Sequence, residues 1–100
     1  MSYQCIRSYR LNPGTIDDVT ELVRRSLLPR LASQPGFLGY RFLSTADDRG
    51  LSMSDWNSYA EAASADAVEA EWVRSSIHQF LAALPDQWIG VISVDKPIGR

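Results

Sequence analysis

The chain alternates between two hydrophobic periods in a fixed order, and that order restricts its possible folds more than any other property. Residues 3–10 are rich in aromatic and β-branched side chains and run into the turn signal Asn12-Pro13-Gly14, which predicts a strand. A helical period follows, with Ile16, Val19, Val23, Leu27 and Leu31 on one stripe. Thr15 stands at the N-cap position. Asp17 and Asp18 occupy the first turn, where the positive end of the helix dipole favours acids. Pro29 lacks an amide donor and clashes with the carbonyl four residues back, so a kink or break is expected near Leu28. Two strands over 37–44 and 51–57 then form a hairpin around the acidic turn Asp47-Asp48-Arg49-Gly50. Ser58 and Glu61 have the spacing of a capping box, and the alanine-rich segment 59–70 favours helix. The expected buried stripe of this second helix is Ala70, Val73, Ile77, Phe80, Leu81 and Leu84, with Leu84-Pro85-Asp86 as its stop. A last strand covers 88–94, and residues 96–100 read as a loose tail.

The resulting order is βαββαβ, the ferredoxin-like α+β arrangement. Right-handed crossovers place both helices on one face of a four-stranded antiparallel sheet. The length suits one domain, taken as residues 1–95. Both sheet faces look apolar. In the last strand Trp88, Ile92 and Val94 oppose Ile89 and Val91; in the second, Phe37 and Leu43 oppose Leu38, Tyr40 and Phe42. Helices cover only one face, so a second copy packed sheet to sheet is expected to cover the other, giving a homodimer. The net charge of −2 offers no electrostatic reason to bind nucleic acid. No apolar run reaches membrane-spanning length, and strand-like sequence from Tyr3 leaves no room for a signal peptide. The single Cys5 suits a reducing compartment, and a cytoplasmic location is expected. One histidine and one cysteine far apart in sequence do not supply a usual ligand set, so no metal site is expected.

Three markers stand in a definite order between residues 3 and 94: Pro35-Gly36-Phe37 ahead of the second strand, Trp56 at the end of the third, and the Leu84-Pro85 helix stop. Together they resemble the antibiotic biosynthesis monooxygenase-like (ABM) family of dimeric α/β barrels. The resemblance implies an enzyme that uses molecular oxygen and no cofactor to oxidise a small aromatic or polyketide-like compound. Two other roles occur on such a fold: a non-catalytic ligand-binding or structural dimer, and a small-molecule isomerase or decarboxylase. Haem degradation, known elsewhere in the family, fits less well. Trp72 and His78 sit closer together than the tryptophan and axial histidine of that branch, and the first strand lacks its asparagine. Anthrone-oxidising relatives carry an asparagine where this chain has Ser52, a tyrosine where it has Ala62 and an arginine where it has His78. Of that polar set Trp56 alone is unchanged.

Oxidation without a cofactor requires an apolar pocket, a proton acceptor and donors that hold an anion. His78 is the candidate acceptor, as the one side chain whose ordinary pKa lies near neutrality; it follows Ile77 at the edge of the buried stripe. Ser52, Ser54 and Trp56 share one strand face, opposite Leu51 and Met53. Turned toward the helices, two small residues beside a large ring would leave a hollow; turned outward, the serines would meet solvent. Trp72 lies off the stripe of Val73 and Ile77, either walling a pocket or packing against the neighbouring helical segment. Arg7 and Arg41 lie in strands, where each could bind an anionic oxygen or pair with Asp55 at the surface. The expected substrate-binding set is Trp56, Ser52, Ser54, Trp72 and Arg41, with His78 as the catalytic base.

Overall fold

β1 (Tyr3–Arg10) is an inner strand of a four-stranded antiparallel sheet of order β2-β3-β1-β4, with β2 (Phe37–Ser44), β3 (Arg49–Trp56) and β4 (Asp86–Val91). The structure is a computed structural model that describes residues 1–96; from residue 97 on, the expected tail lies outside the described residues. The element order is the expected ferredoxin-like βαββαβ. The last strand starts and ends earlier than the residues 88–94 expected of it.

The first helical region is three pieces in series: α1 (Ile16–Leu22), a π turn (Val23–Leu27) and α2 (Leu28–Ala32). Its stripe is as the spacing predicts, with Val19, Val23, Leu27 and Leu31 buried and Ile16 packed against them. Pro29 does not break it. The wide π turn ends just ahead, and Pro29 falls in the first turn of α2, where a missing N–H costs nothing. Thr15 holds the N-cap position without capping, because its hydroxyl turns back to the Asn12 carbonyl at 2.7 Å. The second region contains α3 (Tyr59–Trp72), a π turn (Val73–Ile77) and a 3₁₀ turn (His78–Phe80). Ser58 caps α3 by accepting the Glu61 amide at 3.2 Å.

Three expectations about faces are corrected. A β-bulge between Phe37 and Gly39 adds a residue to β2, and such a slip exchanges inner and outer faces. Phe37 therefore joins Tyr40 and Phe42 against the core, its ring edge-to-face on Trp56 with centroids 5.5 Å apart, while Leu38 turns outward. Trp72 belongs to the buried stripe rather than beside it; the stripe runs Ala62, Ala65, Glu69, Trp72, Val73 and Ile77. The helix stops at Phe80, and Leu84 is 90 % exposed instead of completing the stripe.

Both helical regions pack on the same sheet face, over Tyr9, Leu11 and Trp56. The opposite face carries Leu38, Leu43 and Trp88, all exposed in the isolated chain. No helix among the described residues is long and apolar enough to cross a membrane.

Candidate functional site

Alternation along β1 turns Cys5, Arg7 and Tyr9 inward beneath α3. The helix answers with two carboxylates one turn apart, Asp66 and Glu69. Arg7 Nη2 donates to Asp66 Oδ1 at 2.6 Å, while Arg7 Nε lies 4.0 Å from Glu69 Oε2, too far for a hydrogen bond. That Nε is buried with no partner. The Tyr9 hydroxyl donates to Glu69 Oε2. Burial pushes the Glu69 carboxyl above its usual range, against the opposing pull of the hydroxyls of Tyr9 and Ser52 and the charge of Arg7. The Tyr9 hydroxyl is raised as well, first by burial and then by the Glu69 charge.

A cleft of about 610 Å³ opens beside this cluster, where the second helical region ends and the chain turns back toward β4. Its polar lining is Arg7, Arg74 and His78, and Val73, Leu81, Leu84 and Pro85 supply apolar wall. The cleft exists because the helix ends at Phe80. Leu81 then bridges to Leu11 as an isolated β pair, and the Ala82 amide donates to the Arg10 carbonyl at 2.8 Å, tying the chain to the end of β1 before it turns to β4.

His78 thus sits, exposed, on the rim of a cleft over Arg7 rather than between Trp56 and the helix. Ser52, Ser54 and Trp56 do share a buried, helix-facing side of β3, but that space is filled. Trp56 Nε1 donates to Ser54 Oγ at 2.7 Å, and Ser52 Oγ shares a 2.7 Å hydrogen bond with the Tyr40 hydroxyl. Trp72 is fully buried, its Nε1 donating to Ser26 Oγ of the first π turn at 2.9 Å. Arg41 lies on the opposite sheet face, in a depression with Gln4, Met53 and Asp55. The carboxylate of Asp55 accepts from Gln4 at 2.8 Å. The structure therefore gathers Ser54 with Trp56, and Ser52 with Tyr40, but brings none of them to His78.

Glu69, Tyr9 and Asp66 are the site residues that sequence reasoning missed. One signal was present: Glu69 falls at helical spacing from Ala62, Ala65 and Trp72, a carboxylate on an apolar stripe. Among the described residues, no group of three or more His, Cys, Asp or Glu side chains is arranged to hold a metal ion.

A sheet of this order with both helical regions on one face defines a ferredoxin-like α+β domain, and solved structures show which proteins share it. No family model matches the sequence, and no curated protein is similar to it. A monooxygenase from the ActVA-Orf6 gene of Streptomyces coelicolor, solved with nanaomycin D, superposes with a TM-score of 0.74 at 18% identity, covering 97% of this chain and 93% of that one. SnoaB of Streptomyces nogalater, a cofactor-independent oxygenase, gives 0.75 at 12% identity over 97% and 98%. A protein of unknown function from Nitrosomonas europaea, NE2512, gives 0.77 at 14% identity over 98% and 96%. The fold is that of antibiotic biosynthesis monooxygenases, as the sequence resemblance implied.

Proposed function

We propose that the chain is a cofactor-independent monooxygenase that acts as a homodimer on a small aromatic or polyketide-like compound. The observation that carries this reading is the cleft itself, where Arg7 from β1 and His78 from the helix end meet against an apolar wall. His78 accepts a proton from an acidic CH₂ or phenol of the substrate, and Arg7 steadies the oxyanion that forms. The carbanion or phenolate passes one electron to oxygen. Recombination gives a peroxide, and loss of water leaves a carbonyl, so CH₂ plus O₂ becomes C=O plus H₂O. His78 returns its proton to the peroxide, which supplies the second hydrogen of that water. Cytoplasmic placement accords with the reduced, buried Cys5.

Oxygen-electrode assays with a panel of anthrones and hydroquinones test this directly. His78→Gln should lower turnover by about 10²–10⁴-fold, the usual contribution of a positioned base, while the circular-dichroism spectrum stays unchanged. Unaltered turnover in the variant would remove His78 from the mechanism, and no oxygen uptake with any compound would remove the oxygenase. One observation favours a second reading, a non-catalytic ligand-binding dimer: the exposure of His78 leaves it wetter than a base enclosed with its substrate.

The exposed apolar face of the sheet supports the dimer. Sedimentation equilibrium should return twice the monomer mass, with an interface burying more than about 1,000 Å² in total. A monomer at micromolar concentration would overturn it.

A further inference from the structure

The polar groups lining the cleft are all basic: Arg7, Arg74 and His78. Among the described residues no carboxylate lines it. The acids that balance them stand outside the lining, with Asp66 and Glu69 on α3 over β1 and Glu71 bonded to Arg74 at 2.7 Å. Arg7 is the telling member, being 7% exposed with its capacity to donate only partly used. Its Nη2 is committed to Asp66, its Nε has no partner, and its Nη1 makes no hydrogen bond among the described residues. Nη1 is the donor open to an incoming acceptor, whereas the Nε edge is shut off from solvent and faces Glu69. Glu69 is a poor acceptor for that edge, at 4.0 Å and already engaged by Tyr9.

We infer that the cleft receives its ligand as a preformed planar anion, a carboxylate or an ionised enol attached to a ring system. The delocalised oxygens meet the guanidinium of Arg7, and the ring lies against Val73, Leu81 and Leu84. The charged Nη1 donor is matched better by an oxygen that carries part of a negative charge than by a neutral phenol. Arg74 and His78 at the mouth favour entry of the same charge. This rests on the cleft being the ligand site proposed above, but not on oxygen chemistry.

Calorimetric titration without oxygen separates the two readings. Two pairs of probes differ mainly in charge: a hydroxynaphthoquinone, ionised at neutral pH, against its methyl ether, and naphthoate against naphthamide. Each anion that fits should bind at least about tenfold tighter than its neutral partner, equivalent to about 1.4 kcal/mol. Arg7→Lys should erase most of that preference by replacing the planar fork with a point charge. Arg74→Gln, at an exposed position that leaves folding intact, should weaken the anions alone. A preference confined to naphthoate identifies a carboxylate ligand, and one confined to the quinone identifies an enol; either supports the inference. Equal binding of charged and neutral partners, or no binding by any of the four, overturns it. Anion preference without oxygen uptake in the separate assay would leave this inference standing and sink the oxygenase.

Discussion

The inner face of one sheet is closed at one end and open at the other. Around Trp56 the small Ser54 lies beside a large ring, Phe37 closes from the edge strand, and every polar atom of the ring is matched within β3. Beside Arg7, which α3 covers, the second helical region gives way to a loop, and a charge takes the place of a ring. Small residues beside a large one therefore do not by themselves make a pocket. The side chains next to them expand into the space, and a cleft forms where the backbone above changes course.

Substitutions at the two ends should behave differently, and the largest loss belongs to the closed one. Trp56→Ala should destabilise by about 3–5 kcal/mol in chemical denaturation, as expected for a fully buried ring in close packing. A loss below about 1 kcal/mol would mean the closed end is looser than described.

Arg7→Met should cost about 3 kcal/mol, because it strands Asp66 and Glu69 beside an apolar chain. Adding Glu69→Gln should recover part of this, since the two residues act as one cluster; strictly additive losses would contradict the coupling.

The smallest effect is a change in slope. The folded carboxyl of Glu69 holds its proton more tightly than the unfolded one, chiefly through burial. Below the unfolded value, about pH 4, both states are protonated and its contribution is fully present. As pH rises from there toward the raised folded value, the unfolded state releases its proton first and stability falls. Glu69→Gln should therefore show a flatter denaturation midpoint as pH rises above about 4 than the parent chain. Parallel curves would place Glu69 in contact with water.

The order of elements was legible because strand and helix periods are local properties of sequence, and β1 and the stripe Val19-Val23-Leu27-Leu31 match the spacing that predicts them. Faces were legible only where strands are regular. The alternation in β3 places Ser52, Ser54 and Trp56 together as expected, whereas the bulge in β2 reverses Phe37 and Leu38 with no residue type announcing it. The candidate site was least legible. Its defining pair, Arg7 and Asp66, is 59 residues apart in sequence, and Glu69 looks like a solvated charge until the strand beneath it is known. The early helix end at Phe80, which creates the cleft, depends on Leu81 pairing with Leu11.

The π turn Val73–Ile77 has a consequence for how this chain tolerates insertions and deletions. A π turn takes up about one residue more than the α-helical turn it replaces, and each helical residue accounts for roughly 100° of rotation. Deleting one residue within 73–77 would let the helix revert to regular α winding without disturbing α3. Everything beyond would then keep close to its present orientation, because the π turn has already absorbed the extra residue. A chain shortened by one residue here would therefore still bring the helix end to the cleft rim, whereas the same deletion inside α3 would turn it away by roughly 100°.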